Sequence, residues 1–121
     1  MKQFPKDSKG DDVKPGTLGT RFVGSDRYPM IVVKVLSPKR VLMKHLDHEQ
    51  YQCIENGAYT GEDILLTMDP KEWEDTTSGH YYTCETYSLR KNGLWYRTGE
   101  SSHYTGGVAL GCCDSYLDPS F

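Results

Sequence analysis

Long apolar runs are missing from this 121-residue sequence: none approaches the roughly 18 residues a transmembrane helix needs. The opening stretch MKQFPKDSKGDD has no apolar core of the kind a secretory signal carries, so no signal is expected. Cysteine is sparse, with four residues, too few for a disulfide framework in a chain of this length. These absences lead us to expect a chain of the reduced cytoplasm. Apolar residues make up only 36%, which points to a thin core, yet aromatics reach 12% with nine tyrosines, and that excludes the disordered class. Neither sign of charge dominates, because the net charge is −3. The basic footprint of a dedicated nucleic-acid binder is therefore absent, and a local basic patch is what remains open. No phosphate-loop motif, no dinucleotide fingerprint and no G-x-S-x-G nucleophile elbow occurs. No internal repeat or low-complexity tract is present.

The length fits one domain with one core. Charge is spread unevenly within it. Residues 1–40 hold nine Lys/Arg against four Asp/Glu, residues 41–80 two against nine, and residues 81–121 three against four. A basic first third thus precedes an acidic middle. Such asymmetry solvates loops, or lets the basic part of one subunit meet the acidic part of another. Residues 1–18 are polar, with two prolines and two glycines, and read as an extended arm ahead of a domain spanning 19–121.

Strand signals begin at Gly19-Thr20-Arg21-Phe22-Val23-Gly24. Ser25-Asp26-Arg27-Tyr28 reads as a turn, since Ser and Asp side chains bond nearby backbone N–H groups. Pro29–Leu36 is the strongest strand. Strict alternation puts Ile31, Val33 and Val35 on one face and Met30, Val32, Lys34 and Leu36 on the other. The turn Ser37-Pro38-Lys39-Arg40 leads to a partner strand over 41–46. In the acidic middle, Asp69 as N-cap and Pro70 at the first helical position predict one short helix over 69–75. A long strand over 80–90, the dipeptide Asn92-Gly93 and a return strand at 94–97 predict a type I′ hairpin, whose two central residues both need positive φ. A short strand covers 107–111. This pattern predicts an all-β fold, a small antiparallel barrel of SH3-like or related type with at most one short helix.

Several constellations carry chemistry on paper. His45, His48, Cys53 and the pair Cys112-Cys113 could supply zinc donors, but structural zinc wants ligand pairs at C-x₂₋₄-C spacing. Adjacent cysteines on a strand diverge, so free thiols and ordinary histidines are the expectation, Cys84 included. Cys53, Cys84, Cys112 or Ser102 could be activated by His80 or His103, yet no family signature surrounds any of them. Glu62-Asp63 and Glu72, Glu74, Asp75 could hold a cation, serve as acid and base, face a basic partner, or simply be solvated. Gly106-Gly107 could form a backbone concavity for an anion. The richest region is aromatic and basic: Tyr81, Tyr82, Tyr87, Trp95, Tyr96 and Tyr104, with Arg90, Lys91 and Arg97 interleaved. Aromatic planes stack bases, Arg forks grip phosphates, and Tyr, Trp and Arg dominate protein hot spots. Cross-strand pairing and core filling favour the same residues, so three readings stand open here: structure, protein interface and nucleotide site.

The blocks Gly19-Thr20, Val23-Gly24-Ser25-Asp26-Arg27-Tyr28-Pro29 and Ile31–Val35 are followed by Leu89-Arg90-Lys91-Asn92-Gly93-Leu94-Trp95, by Val108–Gly111 and by Tyr116-Leu117-Asp118-Pro119-Ser120-Phe121. In that order they resemble a group of small phage and prophage accessory proteins, over about half of the chain. No established activity attaches to that group, so the resemblance transfers no functional residue. It implies a context, that of small expendable phage genes, which often encode inhibitors of host machinery or antiviral defence.

The expectation is a non-enzymatic binding protein without cofactor or metal, acting by occupancy in the cytoplasm of an infected bacterium. It would sequester a host-defence protein or a small nucleotide signal, with no membrane partner. The candidate ligand-binding residues are Arg27, Tyr28, Tyr82, Arg90, Lys91, Trp95, Tyr96, Arg97 and His103. Loss of Trp95 or Arg97 is expected to weaken binding and leave the fold intact. A homo-oligomer is expected if the ligand is a small nucleotide, because so short a barrel has little room for a deep pocket. Direct nucleic-acid binding, a small hydrolase and a phage structural component are the alternatives.

Overall fold

The computed structural model describes residues 5–7, 10–67, 84–98, 106–111 and 113. Among them are six strands: β1 (Leu18–Val23), β2 (Asp26–Ser37), β3 (Arg40–His45), β4 (Glu85–Leu89), β5 (Trp95–Arg97) and β6 (Gly107–Leu110). Each is antiparallel to the next, and β6 returns to β1, where Gly19 faces Leu110 and Phe22 faces Gly107. The chain is therefore the small closed antiparallel barrel that its short alternating segments lead one to expect. Closure leaves no unpaired sheet edge between these strands.

The barrel interior is filled by Met30, Val32, Val41, Met43, Tyr87, Trp95, Val108 and Leu110. In β2 the expected strict alternation fails. Val32 pairs with Met43 and Lys34 with Leu42, so Val33 is an extra residue, and Leu36 is extra in the same way before Ser37. A one-residue bulge reverses which face the following side chains take. Val35 accordingly packs on the interior with Met30 and Val32, not with Ile31 and Val33 as expected.

The segment Ser25–Tyr28, expected as a turn, mostly lies in β2. The turn is Gly24-Ser25, between the paired residues Val23 and Asp26. The loop joining β4 to β5 also differs from the expected type I′. No described residue other than glycine has positive φ, so Asn92 does not, while Gly93 sits at +83°. Gly93 N–H donates to Arg90 O (3.0 Å) and Arg90 N–H donates to Leu94 O (3.0 Å). This is a three-residue connection in which one left-handed residue follows a tight turn, the pattern of a G1 bulge. Asn92 holds it by accepting from Leu94 N–H at 3.0 Å.

Two short helices stand where at most one was expected: α1 (His48–Glu55) and α2 (Gly61–Thr67). The expected helix at 69–75 lies outside the described residues. Both observed helices begin with reciprocal caps. Asp47 accepts from Gln50 N–H (2.8 Å) while the Gln50 side chain accepts from Asp47 N–H (3.0 Å). Thr60 and Asp63 repeat the arrangement at α2. Neither helix has the apolar periodicity that would announce it, and α1 buries no residue fully. α2 buries Ile64 and Leu65 against Ile31, Val33, Leu42, Leu46 and Cys84 on the outside of the barrel. Among the described residues, no helix is long and apolar enough to cross a membrane.

The polar arm is tied into the barrel. Val13 is fully buried in the interior cluster, and its N–H donates to Pro5 O at 2.8 Å. Gly16 N–H donates to Val32 O and Val32 N–H to Thr17 O, each at 2.8 Å. Lys14 meets Glu62 at 3.2 Å, and Lys6 pairs with Asp12. The start of α2 touches the arm backbone to backbone: a Cβ on Gly61 would lie 1.9 Å from Gly16 O. Gly61→Ala must push these segments apart. We expect it to cost about 1–3 kcal/mol, typical of overpacking, as a lower urea midpoint. An unchanged midpoint would show that the arm does not bear on α2.

Candidate functional site

Two hairpin tips meet at one end of the barrel. The tip between β2 and β3 presents Lys39, and the loop between β4 and β5 presents Arg90, Lys91 and Asn92. Leu89 N–H donates to Lys39 O at 2.8 Å and locks the two together. Between them is an open depression of about 680 Å³ lined by Lys39, Leu89, Arg90, Lys91 and Asn92. Lys39 and Lys91 are exposed, and among the described residues neither has a carboxylate partner. Three cations from two separate loops around one hollow form an anion site in outline.

Arg90 is aimed by its neighbours. Its guanidinium carbon lies 4.5 Å from the centroid of the Tyr96 ring. A contact of that kind is worth about 0.5–1 kcal/mol at exposed positions. Tyr96 is itself held, because Asn92 Nδ2 donates to its hydroxyl at 3.0 Å and its ring lies against the Gly107 backbone. With one face under Arg90, the ring is only 4% exposed.

Trp95 is the main correction to the sequence-based site. It pairs with Leu89 and Val108, faces the barrel interior and is 1% exposed. Its ring cannot stack a ligand from solvent, and its loss cannot be expected to leave the fold intact. Tyr87, one of the aromatics behind the stacking idea, is also 1% exposed. The hairpin aromatics thus serve packing, and the cations carry the surface chemistry.

Arg27, Tyr28 and Arg97 lie at the other end of the barrel. Arg27 points outward, 6.0 Å above the Phe22 ring. Cross-strand register turns Arg21, Tyr28, His45, Glu85 and Arg97 inward, each on the face of a core residue beside it: Tyr28 follows Met30 in alternation, His45 pairs with Met30, Glu85 with Met43 and Arg97 with Tyr87. Tyr28 meets His45 edge-on at 6.1 Å, its hydroxyl donates to Asp26 at 3.4 Å, and Arg97 reaches Glu85 at 3.2 Å. Arg21 has other contacts, but its Nε is buried without a hydrogen-bond acceptor. Burial, and then the charge and hydrogen bond of Asp26, raise the Tyr28 pKa above 10.0, while Arg21 opposes the shift. A raised folded pKa leaves stability intact below the unfolded value and removes it as pH climbs through the folded one. Alkaline unfolding should therefore steepen above pH 10.0 and flatten in Tyr28→Phe, read by circular dichroism against pH. Identical profiles for both proteins would refute this.

The remaining candidates are accounted for structurally or lie outside the described residues. His48 opens α1 and lies 3.1 Å from Gln52 Nε2. Cys53 and Cys113 are half-buried and Cys84 is buried, all as free thiols. Among the described residues, no three His, Cys, Asp or Glu side chains gather as a metal site. Glu62 pairs with Lys14, and Asp63 caps α2. Gly106 N–H donates to Phe22 O at 2.9 Å, so it serves the β1–β6 closure. Tyr81, Tyr82, Glu72, Glu74, Asp75, His80, Ser102, His103, Tyr104 and Cys112 lie outside the described residues.

Of the nine candidates, the structure brings Arg90 and Lys91 together at one hollow with Arg90 over Tyr96, moves Trp95 into the core, and places Arg27, Tyr28 and Arg97 at the far end. Sequence reasoning missed Lys39, which was read only as a turn residue. Its signal was available: the hairpin ending at Pro38-Lys39 and the one ending at Lys91-Asn92 share a barrel end once the strands between them pair in order. No protein-family model, curated protein or solved structure matches this chain.

Proposed function

We propose that this chain is a non-enzymatic binding protein that holds a small phosphate-bearing ligand, a nucleotide signal, by occupancy. The observation that supports it is the convergence of Lys39, Arg90 and Lys91 from two hairpins tied by the Leu89–Lys39 hydrogen bond. Cations gathered around one hollow by two tied hairpins attract phosphate through charge-assisted contacts. The resemblance to small phage accessory proteins supplies the setting, evasion of a host defence that uses such a signal. Direct binding of long nucleic acid fits less well, because the net charge is −3.

Native mass spectrometry of the protein purified from bacteria making the candidate signal tests the reading. We expect a retained adduct of nucleotide mass, absent after denaturation and absent from the doubly charge-reversed variant K39E/K91E. Equal adducts on both proteins would place the ligand elsewhere, and bare protein from signal-producing cells would refute sequestration.

A further inference from the structure

We infer that the depression recognises its ligand through phosphate oxygens and leaves the base in solvent. This deepens the nucleotide reading above and rests on it. A binder of nucleotides ordinarily supplies two things: cations for the phosphates and an aromatic face for the base. Among the described residues the first is present and the second is already used. The Tyr96 ring carries Arg90 on one face, lies against Gly107 and is 4% exposed. Trp95 and Tyr87 are each 1% exposed inside the barrel. Leu89, the apolar residue of the lining, packs against the same core. Phe22 lies under Arg27 at the far end. Tyr59, 45% exposed, belongs to the loop between the helices and not to the lining. What the described lining offers a ligand is therefore the side chains of Lys39, Arg90 and Lys91, cations suited to oxyanions, since the Asn92 amide already holds Leu94 N–H and the Tyr96 hydroxyl. Lys39 and Lys91 act as point charges on flexible stems, and that gives attraction to phosphate without base readout.

Calorimetric titration of the full chain with three probes of like phosphate charge tests this: ribose 5-triphosphate, adenosine triphosphate and uridine triphosphate. We expect the three dissociation constants to agree within about twofold, since stacking, where it operates, contributes about 1–3 kcal/mol, or roughly fivefold to a hundredfold. All three should weaken together in K39E, a variant at an exposed turn that leaves the core untouched. Tighter binding of either nucleotide than of the base-free sugar triphosphate, by fivefold or more on that scale, would overturn the inference and make the outer face of Arg90 a stacking platform, with the nucleotide reading intact. Binding of none of the three would refute the nucleotide reading itself, and this inference with it.

Discussion

Trp95→Ala should cost about 3–5 kcal/mol of folding stability, the range for emptying a large aromatic site in a core. Trp95 is 1% exposed and packs in one cluster with Val13, Met30, Val32, Val41, Met43, Tyr87, Val108 and Leu110. Those neighbours come from four other strands and from the arm, so no single segment can move in to fill the void. Small domains are stable by about 5–15 kcal/mol, and the variant should be partly unfolded or sharply shifted in urea midpoint. An unchanged midpoint would mean that the ring is not where the barrel places it. The effect separates two roles that share a residue type: a ligand-stacking tryptophan is lost without harm to the fold, and this one is not.

The second large effect is on binding. Reversing both exposed lysines, as K39E/K91E, removes two cations and adds two anions to a hollow that holds three cations. We expect affinity for a triphosphate to fall by about a hundredfold or more, since each charge-assisted contact is worth roughly 1.5–3 kcal/mol. The salt dependence should flatten as well, because fewer phosphate charges are neutralised. Stability should change little, as among the described residues neither side chain has an ion-pair partner to lose: Lys39 keeps its backbone acceptor role toward Leu89, and Lys91 stays in solvent. Wild-type affinity in a folded double variant would remove the depression from consideration.

How much of this was legible in the sequence follows from what each element needs. Alternation marks strands, so β1 to β6 are visible as short apolar or Tyr-rich segments. A bulge inserts one residue without changing composition, so nothing in Pro29–Leu36 announces that Val33 reverses the faces beyond it. The helices hide for another reason. Asp47 with Gln50 and Thr60 with Asp63 are cap signals in plain view, but α1 follows them with no buried residue. A cap without an apolar stripe reads as a polar loop. Val13 is harder still, because one apolar residue in a polar segment has no period, and its burial depends on where the arm crosses β2. In the site, Arg90 and Lys91 were legible from the hairpin, whereas Lys39 depends on two tips becoming neighbours through strand order. Trp95 and Tyr96 misled because a ring that fills a core and a ring that stacks a base look alike until burial is known.

Ligand bound at the hairpin end should leave the opposite mouth of the barrel unperturbed. Backbone amide chemical shifts of the isotope-labelled chain, followed during titration with adenosine triphosphate, test it most directly. We expect shifts concentrated at Lys39, Arg40 and Arg90–Gly93, with Tyr28, His45 and Glu85 unmoved. Shifts centred on Tyr28, His45 and Glu85, with the hairpin tips silent, would contradict it.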